Sequence, residues 1–568
     1  MSPKSKSTNA GPLCAQCRNE IVAYNSLSDV VSKYLATADA LLSCNDPPPG
    51  NDLDSMRTSL GDAQKRIRDI EQQLKALEEQ RQILERERNT LYKYASTQKA
   101  VLNPIRRIPV EILAEIFTIS VKSATSNAYE NALTMKSARW ILSHVCARWR
   151  GISLTTPSLW TNIELELSKE NAAFSPRAFL LGLHIQRSKH LPLEIGLYSY
   201  ASDIPQSHYL LTMLLPTASR WETLHTDMKP ECLQACLAPM SAFLSNLVHF
   251  YTYHLIATKP NSEAILPPAQ INPNERPVVC DALHQSVMLR DVVLRMDVCR
   301  FKFPVEHIQT LALIHQFYTI NDLLSALRPM VNLQELTLTR HSVFLGQIDE
   351  DIDHLPVQLP NLRFLNLSDD KERLLPLEED EEQDLVVSRF LDLLTLSALE
   401  TLEDEHIDSA NTQNFSAFLS LFERSRCDIK SFSTSTIISE DGFICLIREY
   451  PSLMHLDLRG VEGFKNQAMT ELTFQDDADW ECLVPSLESL ELQGSMSFDA
   501  TAFVDMIESR LRGYRAGKLC KIRKAKLGWL EDPPADEDVF DRLDGDFFRG
   551  FSFTKTIKVR DDLSSSDG

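Results

Sequence analysis

The 568-residue chain carries twelve cysteines, and one tight pair among them, Cys14 and Cys17 in LCAQC, has the spacing of half a zinc site. A structural zinc needs four ligands, and neither a second CxxC nor a CxxH follows nearby. No metal site and no cofactor are therefore expected, and the thiols read as free and mostly buried, as in a reducing compartment. A glycine-rich phosphate loop, HExxH, GxSxG and a dinucleotide fingerprint are all absent from the sequence. With 17 glycines, the backbone has few places at which to approach a phosphate closely. The chain is expected not to be an enzyme, with no catalytic residue to nominate. Its charge points the same way. Acidic side chains number 79 against 58 basic ones, a net charge of -21 that disfavours binding to a phosphate backbone. Two local runs depart from the average. EEDEEQD at Glu378 to Asp384 reads as a solvated loop, with a clamp for a basic partner as the alternative. The basic stretch Arg510 to Lys526 reads as the solvated face of a last structural repeat or edge strand, with a nuclear-import or nucleic-acid patch as the alternative.

These groups have to be positioned by folded elements. A chain this long exceeds one hydrophobic core, so two or more units are expected. At 43% hydrophobic and 24% charged residues it has a globular composition. No apolar run approaches the ~18 residues of a membrane span, and MSPKSKSTNAGPL at the start lacks the apolar stretch of a secretory signal. A cytoplasmic and/or nuclear location, without membrane contact, is the expectation. From residue 51 to 97 the chain is rich in Glu, Gln, Arg, Lys and Leu and free of proline, which predicts one long helix. Leu53, Leu60, Ile67 and Leu74 recur in one heptad column, which then turns to Arg81 and Arg88. Met56, Ala63, Ile70, Leu77, Leu84 and Leu91 form the other. Such a seam suits coiled-coil self-association or folding back on a neighbouring domain. A solvated spacer helix fits the composition equally. Residues 260–277 hold five prolines and read as a surface loop, and the tail 561–568 reads as disordered.

Pro109 pre-sets a first helical turn, after which Ile112, Leu113, Ile116 and Phe117 form an apolar stripe. A polar insert from Lys122 to Lys136 precedes a second helix in which Ile141, Val145, Arg148, Trp149 and Ile152 share a face. The motifs PIRRIP, IPVEILAEIF, VCARWR and PSLW resemble the F-box, in the F-box-like variant common in large families of mushroom-forming fungi. The insert is longer than the usual F-box spacing. The resemblance implies a small all-α domain that binds the Skp adaptor of a Skp-cullin-F-box ubiquitin ligase. Pro109, Ile112, Leu113, Ile116, Val145 and Trp149 would then divide between that interface and the domain's own core.

Beyond Trp160 an LxxLxL spacing recurs in NLQELTL, NLRFLNL, SLMHLDL and SLESLEL, and more weakly in HIQTLAL and ALETLED. It resembles the strand portion of a leucine-rich repeat. Phe179 to Tyr198 and RWETL look like the first repeats. The Asn or Cys expected after the third leucine is replaced by His341, Asp370, Val461 and Ser495, so regular stacking is not expected. Strands exposing Gln334, Glu335, Thr337, Arg363, Asn366, His455, Asp457, Glu488 and Glu491 would present them to a protein substrate, although any strand's outer face is polar for solvation alone. The expected organisation is a multi-domain α/β chain. It has a disordered or short helical N-terminus at 1–50, a coiled-coil helix at 51–97, an F-box-like domain at 103–165, an irregular leucine-rich-repeat-like α/β solenoid at 166–530, and an extension at 531–568. The function this implies is a ligase adaptor that recognises substrates. The alternative is a leucine-rich scaffold with an F-box-like cap that recruits no ligase.

Overall fold

The structure is a computed structural model. It describes residues 50–125, 133–167, 176–199, 208–252, 279–295, 298–314, 320–339, 355–367, 381–404, 413–476, 482–529, 536–544 and 548–557, with positions 39, 42, 43 and 534. Cys14, Cys17, loop 260–277 and tail 561–568 lie outside the described residues. The chain divides into two compact units, Met1–Ile108 and Pro109–Gly568.

In the first unit, helix α1 (Gly50–Val101) runs unbroken for 52 residues. It is made of strong helix formers, and Arg81 bonds Glu78 and Glu85 three and four residues away, which supports the helix locally. Pro104 stops it by disfavouring helical geometry at the preceding residue. A short 3-10 turn, Pro104–Arg107, follows, with the Asn103 side chain accepting from the Ile105 amide at 3.1 Å.

The second unit begins with three helices, α2 (Val110–Thr125), α3 (Ala138–Val145) and α4 (Ala147–Thr155). The single second helix expected from the sequence is thus two. Cys146 breaks it with extended backbone, φ -161° and ψ 170°, and its sulfur accepts from the Trp149 amide at 3.4 Å to start α4. Ile141 and Val145 therefore do not share a face with Trp149 and Ile152. Part of the expected polar insert, Lys122–Thr125, simply continues α2.

The remainder alternates helices with β1 (Asn162–Glu166), β2 (Leu193–Tyr198), β3 (Trp221–Asp227), β4 (His249–Thr252), β5 (Asp291–Leu294), β6 (Thr310–Leu313), β7 (Glu335–Leu338), β8 (Val357–Gln358), β9 (Phe364–Asn366), β10 (Leu394–Thr395), β11 (Thr401–Asp404), β12 (Ser431–Ser439), β13 (His455–Phe464), β14 (Ser489–Met496), β15 (Lys524–Trp529) and β16 (Ser552–Ile557). Among the described residues, fourteen of these form one parallel sheet in chain order, while β8 and β10 pair separately. The fold is mixed α/β with a large parallel sheet. One inward row runs from Ile163 to Ala525 through Leu336, Leu365, Leu456 and Leu490, each directly beside its neighbour strand's residue and each buried. Every such leucine contributes roughly 1.5–3 kcal/mol of burial, set against the entropy of ordering the chain.

Three readings are corrected here. The strands pair one after another in chain order, with register shifts between β12 and β13 and between β13 and β14, and the turn expected after the third leucine is absent from β13 and β14, where Val461 and Ser495 are strand residues. Residues 381–384 of the acidic run begin a helix, Glu381–Asp392, not a loop, since Glu and Gln are good helix formers and negative charge suits a helix N-terminus. Finally, β15 is neither the last strand nor an edge, because β16 pairs along its far side.

Candidate protein-interaction surfaces

Two surfaces carry the residues singled out by the sequence. The first lies on α2 to α4. Leu113, Phe117 and Val121 face inward, and the Trp149 ring packs on Phe117 with centroids 4.8 Å apart, so Leu113 and Trp149 serve the internal packing. Pro109 is exposed. Ile112 and Ile116 are 47% and 41% exposed, and Ile119 continues their stripe at helical spacing. On α3, Ile141 and Val145 are each 56% exposed. The missed residues here are Ile119 and Ile141 as surface groups; the apolar periodicity contained them, but it does not tell an inward stripe from an outward one.

Buried polar and aromatic side chains tie these helices to the sheet. Arg139 is fully buried and donates to the Asn162 carbonyl at 2.7 Å, with His184 Nδ1 3.4 Å from the same nitrogen. Trp140 packs edge-on to Trp160 at 5.0 Å, and the Arg187 guanidinium of helix α5 (Pro176–Arg187) stands 4.4 Å from the Trp160 ring centre. Trp160 donates its indole hydrogen to the Ser153 carbonyl at 2.8 Å.

The second surface is the outer face of the sheet. Alternation along each strand places Glu335 and His455 in one outward row and Thr337, Asn366, Asp457 and Glu491 in the next. Gln334, Arg363 and Glu488 lie one residue before their strands. There the carbonyl of Gln334 accepts from the amides of Arg363 and Phe364, and that of Glu488 from Arg523 and Lys524. Among the described residues, Gln334, Glu335, Thr337, Arg363 and His455 have no side-chain bond, and all but half-buried Thr337 are exposed. The others are engaged. Asn366 donates to Glu403 at 3.4 Å, Asp457 holds Arg459 at 2.7 Å, Glu488 meets Arg523 at 3.4 Å, and Glu491 binds Lys524 and Lys526.

The same pairings use up much of the basic stretch. Arg510 is not part of a surface patch at all. It is fully buried, donating to the carbonyls of Leu472, Leu483 and Val484 at 3.0, 3.3 and 2.6 Å, and burial lowers its pKa. Lys518 pairs with Asp476 at 2.6 Å and Lys521 donates to the Arg549 carbonyl.

No family model matches the chain, and no curated protein does.

The sequence reading placed first repeats at Phe179 to Tyr198 and RWETL but missed the outward-facing groups of these early strands. There His225 stacks on Tyr251 at 5.0 Å, with Glu194 at 3.0 Å from His225 Nε2, and Asp291 at 2.5 Å from His249 Nδ1. The hydrogen bond from His225 holds Glu194 below its usual range, and burial raises Tyr251. The signal was present as the alternation in WETLHTD and HFYT, which carries no leucine triplet. Among the described residues, no three His, Cys, Asp or Glu side chains are placed to hold a metal ion, and no helix is long and apolar enough to cross a membrane. The thiols differ from expectation. Of nine described, only Cys236, Cys280 and Cys427 are buried, and burial pushes Cys280 up to about 12 and the other two up to about 11.

Proposed function

We propose that the chain is a non-enzymatic, substrate-recognition adaptor of a Skp-cullin-F-box ubiquitin ligase, with α2 to α4 as an F-box-like segment and the sheet as the strand ladder of a leucine-rich-repeat-type solenoid. The observation that carries the reading is the pair of apolar stripes left exposed on α2 and α3, at Ile112, Ile116, Ile119, Ile141 and Val145. Isoleucine and valine exposed in series lose the stabilisation that burial gives, and covering them with a partner recovers it. Ile112, Ile116 and Val145 fall within the motifs IPVEILAEIF and VCARWR that resemble the F-box. The solenoid reading is supported by parallel strands that follow one another in chain order, each separated by a helix or turn, which is how a repeat array buries a continuous core. The unengaged outer-face residues Gln334, Glu335, Arg363 and His455 are the groups available to a protein substrate.

The test is binding of the full chain to a purified Skp adaptor. Ile112→Glu with Ile116→Glu should abolish binding while leaving the urea midpoint unchanged, since both side chains are already exposed. Leu113→Ala should instead lower stability by about 3 kcal/mol, because it opens a cavity beside Phe117. Failure of the folded wild-type chain to bind the adaptor would overturn the reading in favour of a scaffold.

A further inference from the structure

We propose that α1 pairs with α1 of a second copy of this chain as a parallel, in-register, two-stranded coiled coil. This does not rest on the adaptor reading, since a chain with a monomeric stem binds the adaptor equally well. The seam is exposed: Leu60, Ile67 and Leu74 in one column and Leu77, Leu84 and Leu91 in the other are between 55% and 64% accessible. The seven-residue repeat keeps both columns on one face of a supercoiling helix, and a helix this long draws its stability from covering such a face.

Charge decides the occupant and its direction. In a parallel, in-register pair, each residue preceding a first-column position meets the residue five further along the other chain. Arg66 then faces Glu71 of the second copy, and both side chains are exposed and available. The other such pairs, Ser59 with Gln64, Gln73 with Glu78, Gln80 with Glu85 and Glu87 with Tyr92, contain no like charges. An antiparallel pair brings the edge carrying Glu71, Glu78 and Glu85 against itself. Arg81 in the first column fits the same arrangement. Arg81 is held on its own helix by Glu78, at 2.7 and 2.8 Å, and by Glu85 at 2.9 Å, so two Arg81 side chains do not meet as bare charges. Its stem covers the seam while its head reaches water, which the narrow seam of two strands permits and the enclosed cores of three or four do not.

Light scattering on the full chain at micromolar concentration should give twice the 64.4 kDa chain mass. Leu74→Glu with Leu77→Glu should return it to the mass of one chain. Arg66→Glu and Glu71→Arg should each weaken self-association about tenfold, and mixing the two variants should restore it, because each then meets its opposite. A single-chain or higher-order mass for the wild type, a dimer indifferent to the seam variant, or a mixture that fails to recover would each overturn the proposal.

Discussion

Arg510 illustrates how one side chain can organise several backbone segments. Its guanidinium satisfies the carbonyl that ends helix Asn466–Leu472 and two more at Leu483 and Val484, the latter at φ 44°, where a β-branched residue is strained. Two nitrogens of the planar fork reach these three acceptors, whereas a lysine offers its three donors from a single nitrogen. Arg510→Met fills the space but withdraws the guanidinium donors from all three carbonyls, of which Val484 keeps the Leu487 amide at 3.1 Å, at about 1–3 kcal/mol for each group left unpaired where water cannot reach. Losing the cost of burying a charge offsets part of this. We expect a net destabilisation of about 3 kcal/mol, read as a lower urea midpoint, with Arg510→Lys recovering only a fraction. An unchanged midpoint in Arg510→Met would show that the carbonyls find other donors. From the sequence alone this arginine belonged to a basic patch; nothing in the residue type distinguishes a buried donor from a solvated charge until its acceptors are known.

At the scale of elements, the leucine spacing located β6, β7, β9, β11, β13 and β14 because a strand with one buried face must place apolar groups at alternate residues. It passed over β12, whose inward residues are Phe432, Thr434, Thr436 and Ile438. The threonines are tolerated inside because Thr434 donates to the Asp404 carboxylate at 3.1 Å and lies 2.9 Å from Thr436 Oγ1, a pairing invisible to a hydrophobic template. It also gave no hint of why these strands run long. Register shifts fall between Thr434 and Ile437 and between Leu458 and Val461, and at each the neighbouring chain approaches a glycine closely. A Cβ at Gly494 would lie 2.1 Å from the Val461 carbonyl oxygen, and one at Gly460 would lie 2.3 Å from that of Thr436. The obstructing atoms are backbone, so a side chain cannot be accommodated by a rotamer change. Gly494→Ala and Gly460→Ala should each cost on the order of 2 kcal/mol by forcing the bulge apart. Alanine at Gly463, where no atom lies within 4 Å of the added carbon, meets only the strain of φ 67° and should cost less. Equal losses at all three positions would mean that close approach is not what selects glycine.

For the molecule as a whole, the helices α2 to α4 do not stand apart from the sheet. Both lie in the single compact unit Pro109–Gly568. Residues 103–165 read from the sequence as a small domain, because the motif ends near Trp160 and the leucine spacing starts later. Their packing depends on the chain beyond residue 165. Trp160 is completely buried beneath His184 and Arg187, and Ile163 and Leu165 are fully buried on a strand whose partner is β2. Cutting the chain at residue 165 exposes two tryptophans and this strand's inner face, and it removes the ring and guanidinium that cover them. A segment this short has little other core to compensate. The isolated fragment 103–165 should therefore show no cooperative thermal transition, whereas the full chain does. Trp160→Ala in the full chain should lower stability by about 3–5 kcal/mol through the cavity it leaves. A fragment that melts cooperatively would establish an independent domain and place Trp160 in its own core. If the fragment does not fold, the exposed stripes at Ile112 and Val145 are held in place by the sheet. Any partner seated on them would then bind only a chain whose first strands are intact.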